Sequence, residues 1–101
     1  GRVRFVAGRG AADLLTLRAS RALAEADLLV IPDDVEPGIL AMARRDAGRM
    51  SPGEATPESL VALAQAGRQV VRLVTGPLDP QDLKALAEAG VPVEVLLAAP
   101  S

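Results

Sequence analysis

The chain has 101 residues, a net charge of −2 and neither histidine nor cysteine. Without these two residue types, the usual zinc sites, disulfides, thiol chemistry and histidine-dependent nucleophiles are excluded. Half of the residues are hydrophobic, but Phe5 is the only aromatic one, which argues against nucleic-acid binding through base stacking. The charges are scattered along the chain, so neither nucleic acid nor a membrane surface is an expected partner.

A chain of this length predicts a single domain, spanning residues 1–101. No stretch approaches the roughly 20 apolar residues that a membrane-spanning helix needs. The N-terminus also lacks the layout of a signal peptide, so a cytoplasmic location is expected. The first residue is Gly1 rather than methionine, and it lies directly before the first predicted strand. We therefore expect the chain to have been cut from a longer protein.

The first half of the chain reads as strand, helix, strand, helix. Residues 2–7 are rich in valine and end at a glycine, which predicts a strand inside a sheet. Leucine and alanine at helical spacing predict a helix over about 12–26, with Leu14, Leu15, Leu17 and Leu23 on its apolar face. Residues 27–31 predict a second buried strand. Pro37 suits the first turn of a helix that the sequence predicts to reach Arg45.

The second half continues the alternation. Residues 48–51 are a weak candidate for a short third strand. Thr56 and Pro57 predict the start of a helix to Ala66, and Asp79 with Pro80 predicts another to Ala89. Valine-rich segments over 68–75 and 91–97 predict the last two strands.

Strands and helices alternate strictly, and the connections between strands are too long for hairpins. This pattern predicts an α/β fold, a mainly parallel five-stranded sheet with helices on both faces. In such sheets, ligands bind beyond the carboxyl ends of the strands. A site is therefore expected from five groups: Gly8-Arg9-Gly10, Pro32-Asp33-Asp34, Pro52-Gly53-Glu54, Thr75-Gly76-Pro77 and Ala98-Ala99-Pro100.

Three of these features have a functional and a plain structural interpretation. Gly8-Arg9-Gly10 could cradle an anion, although backbone geometry alone also explains two glycines in a strand-to-helix turn. The acidic residues Asp33, Asp34 and Glu36 could hold Mg²⁺, but capping of the next helix is the favoured interpretation. Arg9 could pair with a ligand carboxylate or lie in solvent.

From Gly8, the chain reads Gly-Arg-Gly-Ala-Ala-Asp-Leu-Leu-Thr-Leu-Arg-Ala. This segment resembles the opening motif of the tetrapyrrole methyltransferases, G-P-G-D-P-x-L-L-T-L-R-A. Further matching segments follow in register, including Arg44-Arg45-Asp46-Ala47 and Val70-Val71-Arg72-Leu73. The resemblance covers nearly the whole chain. It is strongest to the uroporphyrinogen-III C-methyltransferases, which also form the methyltransferase part of siroheme synthase.

The resemblance implies the first of two α/β domains of an S-adenosylmethionine-dependent enzyme, with cofactor and tetrapyrrole bound between the domains. The second domain is absent from these 101 residues. The cofactor-binding positions that the resemblance implies are Gly8, Arg9, Gly10, Thr75, Gly76 and Pro77. Several differ from the family: Arg9 replaces a proline, Ala11-Ala12 replaces Asp-Pro, and the motif K-G-G-D-P reads Val74-Thr75-Gly76-Pro77-Leu78.

The implied catalytic positions also differ. The motif Y-D-x-L-V reads Ile31-Pro32-Asp33-Asp34-Val35, so Pro32 stands where the family has its implied proton acceptor. The motif V-G-K reads Pro52-Gly53-Glu54, so an anion replaces the implied proton-donating lysine. Asp33 and Asp34 are the alternative acids if the alignment shifts by one or two residues.

These departures fall at the strand ends, whereas core and turn residues match. We therefore expect a degenerate, non-catalytic domain that serves as a structural or dimerisation module of a siroheme or cobalamin biosynthesis protein. It is expected to bind no cofactor or metal alone, and to pair with a second copy or a second domain. Two alternatives remain: a methyltransferase fragment active only with its second domain, and a small nucleotide-binding module based on Gly8 and Gly10.

Overall fold

Five parallel strands form one sheet in the part of the chain that the computed structural model describes, residues 1–8 and 16–96. The elements are β1 (Arg2–Ala7), α1 (Leu17–Glu25), β2 (Leu28–Val30), α2 (Pro37–Leu40), β3 (Gly48–Met50), α3 (Pro57–Gln65), β4 (Gln69–Val74), α4 (Pro80–Glu88) and β5 (Val93–Leu96). The strand order is β3-β2-β4-β1-β5, and every pairing is parallel. The predicted fold class is confirmed, including the short third strand and the interior position of β1.

The sheet separates two hydrophobic cores, as expected when parallel strands must be buried on both faces. On one face, Val6, Leu29 and Leu73 pack with Leu23 of α1 and Ile39 of α2. On the other face, the core residues from the strands and from helices α3 and α4 include Val3, Phe5, Val30, Val70, Leu60 and Leu86. Helices therefore cover both faces, as predicted.

Two predicted helix starts are confirmed by side-chain caps. The Thr56 hydroxyl accepts a hydrogen bond from the Ser59 amide at 3.2 Å, at the start of α3. The Asp79 carboxylate accepts one from the Gln81 amide at 2.9 Å, at the start of α4. Each cap satisfies one of the amides that the first helical turn leaves without a partner.

The first helix begins later than predicted. Thr16 has an extended backbone (ψ 159°), and its hydroxyl accepts a hydrogen bond from the Ala19 amide at 3.1 Å. Threonine in this role caps the helix, which starts at the next residue. Leu17 is consequently 65% exposed rather than on the apolar face. The rest of the predicted start, including Leu14 and Leu15, lies outside the described residues.

The second helix is shorter than predicted and ends at Leu40 instead of Arg45. After it, the amides of Met42 and Ala43 bond to carbonyls three residues back, which tightens the chain into turns. Arg44 then donates to Asp46 at 3.1 Å within the loop that leads into β3. β1 has its predicted bounds, and the remaining elements differ from theirs by no more than two residues.

Glu94 on β5 is surrounded by arginines from the neighbouring elements. Its carboxylate accepts hydrogen bonds from Arg2 and Arg4 of β1, at 3.0 and 3.3 Å, and from Arg18 of α1, at 2.8 Å. The Arg2 hydrogen bond is the main reason why the pKa of Glu94 lies below its usual value. This cluster attaches the last described strand to both the sheet and the first helix.

A second ion pair joins β4 to α4 from inside the second core. Arg72 donates to the Asp82 carboxylate at 2.8 Å, and Asp82 is only 4% exposed. Arg72 also reaches the Ala55 carbonyl, at 3.4 Å. Burial raises the pKa of Asp82, against the opposing effect of the nearby guanidinium.

We predict that Asp82→Ala lowers the free energy of unfolding by about 3 kcal/mol, because it leaves a largely buried arginine without its carboxylate. Glu88→Ala, on the exposed side of the same helix, should change it by less than about 0.5 kcal/mol. Urea unfolding measures both. An equal effect of the two substitutions would show that the buried pair is unimportant.

The raised pKa of Asp82 also implies a definite direction for the pH dependence of stability. The folded state binds the Asp82 proton more tightly than the unfolded state does. The stabilisation that results is therefore fully present below the unfolded pKa, about 3.9. It is lost as the pH rises through the folded pKa. The stability of the wild type relative to Asp82→Asn should therefore decrease as the pH is raised from the unfolded pKa, about 3.9, through the folded pKa of Asp82.

Candidate functional site

Four of the five predicted groups at the strand ends lie wholly or partly within the described residues. Because all the strands are parallel, their carboxyl ends share one edge of the sheet. This edge holds Gly8 after β1, residues 31–34 after β2, residues 51–54 after β3 and residues 75–77 after β4. Arg9, Gly10 and Ala98-Ala99-Pro100 lie outside the described residues.

Gly8 is held tightly at this edge. Its amide donates to the Val74 carbonyl of the neighbouring strand at 2.8 Å, and its carbonyl accepts from the Glu36 amide at 2.8 Å. A methyl group added to Gly8 would lie 2.8 Å from a Val35 methyl carbon and 3.3 Å from a Thr75 methyl carbon. Gly8 is therefore needed for close packing of the end of β1 against the end of β4 and the loop between β2 and α2.

The acidic loop after β2 does not cap α2 as predicted. The residue at the cap position is Glu36, and its side chain makes no capping hydrogen bond. Asp34 instead accepts a hydrogen bond from the Thr75 hydroxyl at 2.9 Å, across the ends of β2 and β4. In residues 1–8 and 16–96, no three acidic side chains come together in a way that could hold a metal ion.

Glu54 caps its own turn. Its carboxylate accepts hydrogen bonds from the Ser51 amide at 3.2 Å and from the Ser51 hydroxyl at 2.9 Å. The backbone hydrogen bond is the larger of the two effects that place the pKa of Glu54 below its usual value. At neutral pH this position therefore presents an anion that already has hydrogen-bond partners.

An open, mainly apolar hollow of about 420 Å³ lies beside this edge, at the ends of β1, β4 and β5. Its lining residues are Ala7, Val74, Thr75, Gly76, Pro77, Leu78 and Val95. Three predicted cofactor positions, Thr75, Gly76 and Pro77, thus lie together, whereas Gly8 lies beneath Val35.

Several features of this edge were missed by sequence reasoning. These are the Thr75–Asp34 hydrogen bond, the packing of Val35 on Gly8, and the part played in the hollow by Leu78 and Val95. The alternation of side chains between the two faces of the sheet could have indicated the position of Val95, which is 43% exposed although it lies within β5. The pairing of Thr75 with Asp34 had no local signal, because 41 positions separate the two residues.

We predict that Gly8→Ala lowers the free energy of unfolding by about 1–3 kcal/mol, the usual cost of overpacking. Val35 is β-branched and cannot easily turn its methyl group away. Gly53→Ala and Gly76→Ala are matched controls, since an added methyl group would meet nothing within 4 Å at either position. Thermal unfolding of the three variants provides the comparison, and a Gly8→Ala variant as stable as the controls would contradict the close packing.

Comparison with known proteins places these observations in a family. Residues 6–96 match the family described as Tetrapyrrole (Corrin/Porphyrin) Methylases. The siroheme synthase of Methylococcus capsulatus is 54% identical over 48 residues, and that of Hahella chejuensis is 47% identical over 49. Each alignment covers 48% of this chain and 10% of the relative.

Solved structures match over nearly the full length of the chain. The uroporphyrin-III-C-methyltransferase of Thermus thermophilus superimposes with a TM-score of 0.82 and 36% identity, covering 98% of this chain and 48% of that one. A structure of the Thermus thermophilus enzyme with S-adenosyl homocysteine gives 0.73 and 32%, covering 98% of this chain and 45% of that one. A cobalt precorrin-4 methyltransferase, at 24% identity and a TM-score of 0.66, shares the fold.

The chain thus spans about half the length of these solved relatives. Among the helices of the described residues, none is long and apolar enough to cross a membrane. The match of the family over 6–96, together with the five-stranded parallel sheet, agrees with the resemblance seen in the motifs. The chain therefore belongs to the tetrapyrrole methylase family and corresponds to its N-terminal domain.

Proposed function

We propose that this domain is a non-catalytic, structural member of the family within a protein of siroheme or cobalamin biosynthesis. The observation that carries the proposal is the charge and the hydrogen bonding of Glu54. The family resemblance implies a proton-donating lysine here, and this chain has a carboxylate bound to the Ser51 amide and hydroxyl. An anion held in this way repels a negatively charged substrate and has no proton to donate at neutral pH.

The implied proton acceptor is missing from its position as well. Pro32, which stands there, has no ionisable group. Of the two alternative acids, Asp34 is bonded to Thr75 at 2.9 Å. Asp33 lies in the exposed turn after β2. The position at which the resemblance implies a lysine partner for the acid holds Glu54, an anion.

The residues at the strand ends are also a poor fit to S-adenosylmethionine. Thr75 stands where the family has glycine, and its hydroxyl is already used by Asp34. The hollow next to it is lined mainly by aliphatic side chains, such as Val74, Leu78 and Val95. Recognition of a charged cofactor needs several well-placed polar groups. We therefore derive no methyl-transfer step for this chain alone.

We expect no heat of binding when S-adenosylmethionine or S-adenosyl homocysteine is titrated into this chain in a calorimeter. The Thermus thermophilus uroporphyrin-III-C-methyltransferase, whose structure with S-adenosyl homocysteine is known, is the positive control. Saturable binding at micromolar concentration would overturn the proposal.

One observation favours a catalytic alternative: the chain covers only 48% of the full methyltransferase to which it is 36% identical. A second domain could then complete the site. Methyl transfer to uroporphyrinogen III by a mixture of this chain and a relative's second domain would establish that role. The relative's own two halves, mixed in the same way, are the control, and we expect activity only from them.

The hollow is the surface that we propose a second folded unit covers, either the second domain or another copy of this chain. It lies where β1, β4 and β5 end, and Val95 is exposed in it. If a second copy covers it, sedimentation of the wild type should show dimers that Val95→Asp dissociates. A wild type that stays monomeric at all concentrations would leave the second domain as the partner.

A further inference from the structure

Two departures from the family's motifs contact each other at the strand ends. In the motif alignment that the resemblance implies, Asp34 stands at the leucine of Y-D-x-L-V, and Thr75 stands at the first glycine of K-G-G-D-P. The Thr75 hydroxyl donates to Asp34 Oδ1 at 2.9 Å. Neither leucine nor glycine has a side-chain hydrogen-bonding group, so this bond needs both replacements.

The bond belongs to a larger set of contacts around Gly8. The loop from β2 to α2 donates the Glu36 amide to the Gly8 carbonyl at 2.8 Å. A Val35 methyl carbon and the Thr75 methyl group border the space that a side chain at Gly8 would need, 2.8 and 3.3 Å from the position of an added methyl group. Thr75 therefore bonds the β2–α2 loop through its hydroxyl and packs on the end of β1 through its methyl group.

Charge strengthens this arrangement. A hydroxyl donor to an ionised carboxylate makes a stronger hydrogen bond than one between neutral groups. The side-chain bond to Asp34 and the backbone bond of Glu36 hold the same loop two residues apart. Opening of the loop must therefore break both bonds, and losing one should make the other easier to open.

We propose that the Thr75–Asp34 hydrogen bond is a latch that holds the β2–α2 loop against the ends of β1 and β4. The latch orders this edge of the sheet through the chain's own side chains. The inference rests on the proposed function in one respect, namely that no bound ligand orders this edge of the sheet. The latch itself is a property of the ligand-free chain.

Hydrogen exchange of the Glu36 amide, followed by NMR on the ligand-free chain, tests the latch. Thr75→Val keeps the β-branched shape and removes the hydroxyl, and it should speed exchange of this amide about three- to ten-fold, as expected for one net hydrogen bond. Thr75→Ser keeps the hydroxyl and should leave the rate within about two-fold of the wild type. The Val71 amide, in the middle of β4, is the reference for global opening.

A second experiment, in the Asp34→Leu variant, isolates the interaction between Thr75 and Asp34. In Asp34→Leu, which restores the family's residue, Thr75→Val should have no further effect, because its partner is already gone. The latch is ruled out if Thr75→Val leaves the Glu36 rate unchanged, or if its effect persists in the Asp34→Leu background. It is also ruled out if Thr75→Ser acts as strongly as Thr75→Val. Since no cofactor is present, these results are separate from the binding test of the proposed function.

Discussion

The central strand β4 is the element on which the rest of the structure depends. It pairs with β1 over six residues and with β2 over three, and thereby joins the two halves of the sheet. Asp27 sets its starting point: the Asp27 carboxylate accepts from the Gln69 amide, and the Asp27 amide donates to the Gln69 carbonyl, both at 2.8 Å. This register determines which residues meet at the far end. Ala7 pairs with Val74, so the residues that follow them, Gly8 and Thr75, lie side by side.

The same register brings together the loops that follow β2 and β4. Val30, the last residue of β2, pairs with Arg72, two residues before β4 ends, so the chain after β2 continues beside the end of β4. In this arrangement the Asp34 carboxylate comes within hydrogen-bond distance of the Thr75 hydroxyl, at 2.9 Å. Glycine and leucine would leave these loops unconnected through their side chains. Threonine and aspartate connect them through one hydrogen bond.

Much of the fold could be predicted because its signals are local. Thr56 and Asp79 each precede a proline, and both helices begin where these pairs predict. Alternation of strands and helices was enough to predict a parallel sheet. The errors came where two local signals compete. At Thr16, helical spacing predicted a continuing helix, but the threonine hydroxyl instead caps a helix that starts at Leu17.

The site could be predicted less completely, because its contacts join distant parts of the chain. The strand-end rule placed Thr75, Gly76 and Pro77 correctly at one edge. It could not indicate that Asp34 would bond to Thr75 rather than cap α2. The family motifs identified the altered positions but not their contacts.

The position of Glu94 has a further consequence for how the isolated domain avoids aggregation. In the order of the described strands, β5 lies at the edge of the sheet and has only four residues. Open strand edges are templates for pairing with other chains, and a charged residue within a short edge strand is a common protection. An approaching strand would have to accommodate the ionised Glu94 and its three arginines. Growth of the sheet beyond β5 is therefore opposed by charge.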